Sequence, residues 1–404
     1  MRSLSNQIKE RRDKNEGGMF MDFKLTEDQQ MLQKMAKNLA SEKFKPKAFT
    51  WDKTDEYPWE NLKTLATHGL IGITLPQEDG GGGGSVFDAV LVIEQIAMVC
   101  PHTADLVQLG NFGAIRALSQ YGSKELKMRV LPILLKGETT ISTAMSEPDA
   151  GSAATDLRAK GRIEGDTVVI DGSKIFNTNP QARFFLVWLR FGNDVKSSGA
   201  VIVERETPGF LFGKMEKFMS GQSHCMLYFD QCRVPLQNVV LREDGFRKLL
   251  TAFNVERAGN ATRSLALAQL AFDLAVEHAK VREQFGRPIS EFQGIQWKFA
   301  EMKMKLDAAR LLIYRAVVNA GDGRLSAVET AVAKAFTNEA AFWVANEALQ
   351  IMGGYGYSTE FPFEYILRRV RGWMIGGGTT EMMKNRIAEG IFDRHFSQRP
   401  PKRS

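Results

Sequence analysis

Cysteine is scarce: the chain of 404 residues has three, Cys100, Cys225 and Cys232. They form neither a close metal pair nor an even disulfide set, which excludes a disulfide scaffold and a short-spaced metal motif and suits a reducing compartment. No apolar run approaches the length of a bilayer span, so the chain reads as soluble and no membrane partner is expected. Charge of one sign is lacking too. The net charge of +6 comes from 53 Lys and Arg against 47 Asp and Glu. The basic residues are scattered apart from the tails and the Arg368-Arg369-Val370-Arg371 cluster, so no nucleic-acid partner is expected. Residues 1–20 are polar and include Lys9-Glu10-Arg11-Arg12-Asp13-Lys14, without the apolar stretch of a secretory signal. Residues 1–21 read as a disordered extension, and a bacterial cytoplasmic setting is expected ahead of a mitochondrial matrix.

What is present is ordinary globular composition, 25% charged and 44% apolar, over a length that holds two or three domains. From 22 to 137 the apolar residues, such as Met31, Leu32, Met35 and Leu39 and then Ala89, Val90, Val92, Ile93 and Ile96, are spaced for buried helix faces. Asp79-Gly80-Gly81-Gly82-Gly83-Gly84-Ser85 interrupts them. No Lys-Ser/Thr follows, so it reads as a flexible inter-helix loop rather than a phosphate cradle. From 138 to 241 the texture changes to short runs, Thr167-Val168-Val169-Ile170, Phe184 to Leu189 and Ala200 to Val203, separated by Gly and Asp turns. From 242 to 395 long helical patterns return, which predicts a bundle, and 396–404 is a tail. The fold class is α+β, with no repeat of fixed period.

Within this order lie several motifs. Ala144-Met145-Ser146-Glu147-Pro148-Asp149-Ala150-Gly151-Ser152 supplies hydroxyls and loop amides, neutral donors that can hold a ring edge. Gly172-Ser173-Lys174-Ile175-Phe176-Asn177-Thr178-Asn179 reads as a strand end with a polar turn. Arg282-Glu283-Gln284-Phe285-Gly286-Arg287-Pro288-Ile289 is followed by Phe292-Gln293-Gly294-Ile295-Gln296, and Arg282 has the fork that suits a pyrophosphate. Gln350-Ile351-Met352-Gly353-Gly354-Tyr355-Gly356-Tyr357 contains glycines that allow close backbone approach to a ligand. Each alone has a plain reading: a turn, a solvated charge, a helix stop.

Taken in order over Phe23 to Phe392, these motifs resemble those of the acyl-CoA dehydrogenases. That resemblance implies an N-terminal α-helical domain, a middle β-barrel and a C-terminal four-helix bundle that bind FAD and an acyl-CoA, assemble as a homotetramer and pass electrons to an electron-transferring flavoprotein. It places Ser146, Phe176 and Thr178 beside the flavin and Ser152 beside the CoA phosphopantetheine. Arg282, Gln284, Phe285 and Gln293 are implied on one side of the dinucleotide, Gln350, Gly353 and Gly354 on the neighbouring chain, and Thr379 and Glu381 on the adenosine side. No metal is expected.

The family needs a base to remove the α-proton of the thioester. Many members have a glutamate where this chain has Gly377, in Trp373-Met374-Ile375-Gly376-Gly377-Gly378-Thr379-Thr380-Glu381. Glycine loses that side chain but keeps the backbone N–H that hydrogen-bonds the thioester oxygen. Phe253-Asn254-Val255-Glu256-Arg257-Ala258-Gly259 resembles the helix start that carries the glutamate in isovaleryl-type and long-chain-type members, so Glu256 is the expected base. Its plain alternative is one half of a surface ion pair. Asn254, Arg257, His102 and Asp105 are candidate substrate contacts. The polar Cys100 to Leu109 segment, with His102 near the place where glutaryl-CoA dehydrogenases have an arginine, raises a branched or carboxylated acyl group as substrate. Two rivals stay open: an enoyl-CoA reductase like the crotonobetainyl-CoA branch, and a non-catalytic partner subunit of a flavoprotein complex.

Overall fold

The computed structural model describes residues 24–51, 53–54, 56–320 and 324–399. The expected extension at 1–21 lies outside them, as does the end of the tail. The first region is helical: α1 (Glu27–Leu39), α2 (Trp59–Thr67), α3 (Val86–Ala97), α4 (Pro101–Leu109), α5 (Ala114–Tyr121) and α6 (Lys124–Leu135). Thr26 and Ser85 start α1 and α3 through capping boxes with Gln29 and Asp88, each satisfying backbone donors that a helix start otherwise leaves unpaired. The glycine run before Ser85 is not a flexible loop. The N–H groups of Gly82, Gly83 and Gly84 donate back to the carbonyls of Gly72, Leu75 and Ile73. A Cβ on Gly81 would lie 2.3 Å from the Leu75 carbonyl oxygen.

Helix α3 is apolar nearly all round and is correspondingly buried. Its buried acid, Glu94, accepts from Arg310 Nε at 2.9 Å and Tyr314 OH at 2.9 Å. Both partners belong to the C-terminal region, so the pair joins the two helical regions through one continuous apolar core.

Eight strands form one sheet: β1 (Ile141–Ala144), β2 (Lys160–Glu164), β3 (Thr167–Asn177), β4 (Phe184–Arg190), β5 (Ser198–Glu204), β6 (Phe210–Lys217), β7 (Ser223–Pro235) and β8 (Val239–Leu241). The order is β6-β7-β3-β2-β4-β5-β8, with β1 parallel to β4. The path ends on β6 and β8, so hydrogen bonding does not close the expected barrel. Strand β4 shows why this region reads as continuous apolar runs rather than strict alternation. Phe184, Leu186 and Trp188 pack against α5 and α6, whereas Phe185, Val187 and Leu189 face the interior of the β domain. A strand buried on both faces is apolar at every position.

The C-terminal region begins with α7 (Gly245–Val281) and a short hairpin, β9 (Glu283–Gln284) and β10 (Arg287–Pro288). Then follow α8 (Gln293–Val318), α9 (Ala327–Met352), the single turn α10 (Gly354–Tyr357), α11 (Phe363–Trp373) and α12 (Thr380–Phe392). Helix α9 is central and packs on α7, α8, α11 and α12. Its buried alanines Ala341, Ala345 and Ala348 share one apolar cluster with those of α7, which lets the helix axes approach closely.

One buried ion pair fixes the β domain internally. Lys174 on β3 is fully buried, with Nζ 2.6 Å from Glu147 Oε1 and 3.1 Å from the Met145 carbonyl oxygen. Glu147 also accepts from the backbone N–H groups of Arg158 and Ala159. Burial pushes Lys174 down to about 8 while Glu147 opposes the shift. Removing one partner of a satisfied buried pair costs about 3–5 kcal/mol, because the other charge stays buried and unpaired. Lys174→Met is therefore expected to lower the unfolding free energy by about 3 kcal/mol or more in urea titration. Removing the exposed Arg158–Asp149 pair should change it by about 1 kcal/mol at most.

Candidate active site

Glu256 lies on the N-terminal third of α7, and its carboxylate is enclosed between α4 and the turn that begins α5. Gln108 of α4 donates to Glu256 Oε2 and approaches the Glu256 carbonyl oxygen at 3.5 Å. On the other side Gly113 adopts φ +59°, and a Cβ there would lie 2.2 Å from Glu256 Oε1. The glycine is needed twice, for its backbone conformation and for the room it leaves. Burial pushes the Glu256 carboxyl above the usual carboxylate range, while Arg263 and the Gln108 hydrogen bond pull it part of the way back. A carboxylate of raised proton affinity in an enclosed site has the properties of a general base. Gln108, Gly113 and Arg263 were not singled out in the sequence. Only Arg263, two helical turns from Glu256 on the same face, carries a readable signal.

Gly377 sits against the same stretch of α7. Its φ is +75°, and a Cβ there would face Lys334 Cε at 3.5 Å and Asn260 Nδ2 at 3.8 Å, with Asn260 one turn from Glu256. Arg257 Nε donates to the Gly377 carbonyl oxygen at 3.1 Å, and Arg257 Nη1 to Asn254 Oδ1 at 2.8 Å. From α9, buried Lys334 donates to the carbonyl oxygens of Trp373 at 3.0 Å and Gly378 at 2.7 Å, and Asn338 donates to that of Trp373 at 2.8 Å. The carbonyls of this loop are thus gripped from beneath. Among the described residues no acceptor meets the Gly377 N–H. Lys334 is pushed down to about 7 by burial and the nearby Arg257 guanidinium, with Glu381 opposing. A lysine inside an apolar helical run is the sequence signal for it. Arg257 is thus engaged with the loop, while Asn254 accepts from Arg257 and its Nδ2 lies 3.5 Å from the Leu325 carbonyl oxygen.

Asp105 and His102 on α4 have other partners. The Asp105 carboxylate is taken up by Arg263, by Arg369 Nη2 at 2.6 Å and by Gln222 Nε2 at 2.6 Å. His102 is half-buried, and desolvation pushes it down to about 3, with the Arg369 charge adding. Tyr365 OH lies 3.3 Å from its Nδ1. A neutral imidazole brings no charge to an acyl carboxylate, and a carboxylate held by two guanidiniums is not a spare acceptor. Thr178 shares with these two residues, Tyr57 and Gln222 a small cavity of about 80 Å³.

The two loops of the β domain expected beside the flavin are tied together by the Lys174–Glu147 pair. The Ile175 N–H also donates to the Ser146 carbonyl oxygen at 2.8 Å. The register of β3 on β7 slips between Lys174 and Asn177. In that slip Phe176 takes φ +57° and is 58% exposed, edge-on to Phe218. Such a bulge re-aims a side chain out of the sheet. Ser152 is exposed on the neighbouring loop, and Thr379 caps α12 with Glu381 exposed in its first turn.

Gln350, Gly353 and Gly354 are implied by the sequence to face Arg282 across a subunit boundary. The structure corrects this. Helix α8 doubles back between α7 and α9, so the C-terminal ends of α7 and α9 meet within one chain. Arg282, Gln284, Gly353 and Gly354, with His278, Ile289 and Tyr355, line one groove of about 550 Å³. Gln350 and Gln293 are exposed nearby. Phe285 stands at the hairpin tip with φ +53° and 94% exposure. The donor set fits FAD: an exposed guanidinium for a pyrophosphate, two glycines with open space where a Cβ would be, and hydroxyls at Ser146 and Thr178 for the ring. No cluster of three potential metal ligands exists among the described residues, and no described helix is long and apolar enough to cross a membrane.

The chain matches the models for the N-terminal, middle and C-terminal domains of acyl-CoA dehydrogenase over residues 26–138, 142–232 and 243–392. It is 38% identical over 386 residues to the 3-sulfinopropanoyl-CoA desulfinase of Paraburkholderia xenovorans (strain LB400), spanning 93% of this chain and 99% of that protein. It is 36% identical over 382 residues to the acryloyl-CoA reductase (NADH) of Anaerotignum propionicum, spanning 93% and 97%. The structure of butyryl-CoA dehydrogenase from Megasphaera elsdenii superposes with a TM-score of 0.88 at 31% identity, covering 92% of this chain and 100% of that one. With all three domains matched in order over this fold, the chain belongs to the acyl-CoA dehydrogenase family, FAD-dependent oxidoreductases that act on a CH–CH bond.

Proposed function

We propose that the protein catalyses the α,β-dehydrogenation of an acyl-CoA thioester to a trans-2-enoyl-CoA, with Glu256 as the base and an electron-transferring flavoprotein as the acceptor the family resemblance implies. The observation that carries this is the enclosed, proton-avid Glu256 on the stretch of α7 against which the Gly377 loop packs. Bound FAD supplies the acceptor for the β-hydrogen. Glu256 takes the α-proton, and the Gly377 N–H donates to the thioester oxygen as charge builds there. Arg257, Lys334 and Asn338 hold the loop, so this donor is fixed before the substrate arrives. Gly377, having no side chain, leaves the space that a branched or otherwise bulky acyl group would fill. Because His102 is neutral and Asp105 is paired, neither is a strong recognition element for a distal carboxylate.

The cofactor residues also bear on assembly. Arg257, which lies against Gly377 and Gly378, and Arg282, just past the end of α7, are 25 residues apart, roughly 38 Å at a rise of about 1.5 Å per residue. One chain therefore presents its two sets too far apart to grip a single dinucleotide, and a second copy completes the site, in keeping with the homotetramer implied by the resemblance. The exposed Phe285 beside Arg282 is then covered by that copy.

A second reading is favoured by the desulfinase and reductase relatives: the same groups acting on 3-sulfinopropanoyl-CoA without net oxidation, or on acryloyl-CoA in the reductive direction. A panel of butyryl-, isobutyryl-, isovaleryl-, glutaryl- and 3-sulfinopropanoyl-CoA separates them. Flavin bleaching with a ferrocenium-type acceptor is expected for a dehydrogenase substrate. Sulfite release without bleaching would replace this reading with the desulfinase one, and turnover only from acryloyl-CoA with NADH would replace it with the reductive one.

Glu256→Gln should keep FAD and CoA-ester binding while slowing flavin reduction about 100-fold or more, since it removes basicity at nearly constant size. Activity within a few-fold of the parent would overturn the assignment. Gly113→Ala should lower stability by about 1–3 kcal/mol and slow the same step by displacing Glu256. Thermal denaturation and single-turnover bleaching would read the two effects separately.

A further inference from the structure

Helices α4 and α7 are joined by two polar rungs. Gln108 meets Glu256, and Asp105 meets Arg263. Residues three apart on α4 thus answer residues seven apart on α7, which lie on one face two turns from each other. The Arg263 guanidinium bonds Asp105 and lies 4.9 Å above the ring of Trp373, the residue that starts the glycine loop, on the same face of α7 as Glu256. It pairs with Asp105, while remaining near enough to Glu256 to act on its ionisation. Asp105 is held in turn by Arg369 and by Gln222 of the β domain, so its position is set from three directions. The other charged groups nearby are committed elsewhere. Arg257 and Lys334 are turned to the glycine loop, and His102 is neutral. Among the described residues, Arg263 is therefore the cation that acts on Glu256.

We propose that Asp105 and Arg263 are a positioning pair that sets the base strength of Glu256, with Asp105 drawing the guanidinium away so that the catalytic carboxylate stays avid for a proton. This rests on the reading of Glu256 as the base. Neither residue touches the reacting atoms; both act through Glu256. The electrostatics give the two members opposite signs. A cation beside a carboxylate favours the ionised form, so its removal raises the proton affinity. Removing Asp105 leaves the guanidinium uncompensated and free to swing toward Glu256, which lowers it. If Asp105 works only through Arg263, the double variant must resemble the arginine variant.

The test is a pH titration of the Glu256 carboxyl in the FAD-loaded protein. It follows the protonated-carboxyl infrared band that is present in the parent and absent from Glu256→Gln. Arg263→Gln should move the midpoint up by on the order of one pH unit, and Asp105→Asn should move it down by a similar amount. The double variant should follow Arg263→Gln. Shifts of the same sign, no shift in Arg263→Gln, or a double variant that follows Asp105→Asn would each overturn the proposal. Should Asp105→Asn fail to fold, Arg263→Gln alone decides the outcome by its direction. The readout is independent of turnover. If Glu256→Gln stays active while these midpoints move as stated, the base assignment fails and the electrostatic coupling stands.

Discussion

The constraint on which the proposed base depends is that a carboxylate must be taken out of water and still lose and gain a proton. Desolvation alone would hold Glu256 protonated, and a close cation alone would make it too weak a base. The structure puts the residue between these limits. Its lone pairs face an amide from Gln108, the nearest guanidinium is paired with another acid, and a glycine on the third side leaves the space its oxygen occupies. The Gln108 and Gly113 contacts come from elements that α7 packs against for reasons of apolar burial, and the guanidinium comes from α7 itself. The stability of the helical core and the ionisation of one side chain are therefore set by the same packing.

The glycine loop obeys a related rule. A backbone N–H is a useful oxyanion donor only if it does not move, and a loop with glycines at 376, 377 and 378 has little stiffness of its own. Rigidity is imported from buried Lys334 and Asn338 and from Arg257, which bond its carbonyls, and among the described residues the Gly377 N–H has no acceptor. Polar groups buried beneath a mobile sequence do here what side-chain packing does elsewhere.

Much of the fold was legible in the sequence because periodicity reports burial directly. The three regions follow the switches in apolar spacing, and β4 reads as a continuous apolar run because both of its faces are covered. The proposed pairing of Glu256 with Gly377 comes from resemblance to a known family, since neither residue is distinctive alone. What could not be read was anything set by three-dimensional approach. Gly113 looks like any glycine until a carboxylate is found beside its Cα. Asp105 and His102 look like ligands until their own partners appear. The split of the Arg282 and Gly353 segments between chains failed for a topological reason, because one returning helix brings both to the same end of the bundle.

The glycine run at 80–84 bears on engineering. Replacing loop glycines with alanine usually stabilises a protein by reducing the freedom of the unfolded chain, provided the backbone angles allow it. Here that strategy reverses its sign. Gly80 and Gly83 have φ of +83° and +68°, and a methyl group at Gly81 would enter the Leu75 carbonyl. A segment that looks like a spacer behaves as a machined part, and a library built by alanine scanning would read it as core rather than as linker.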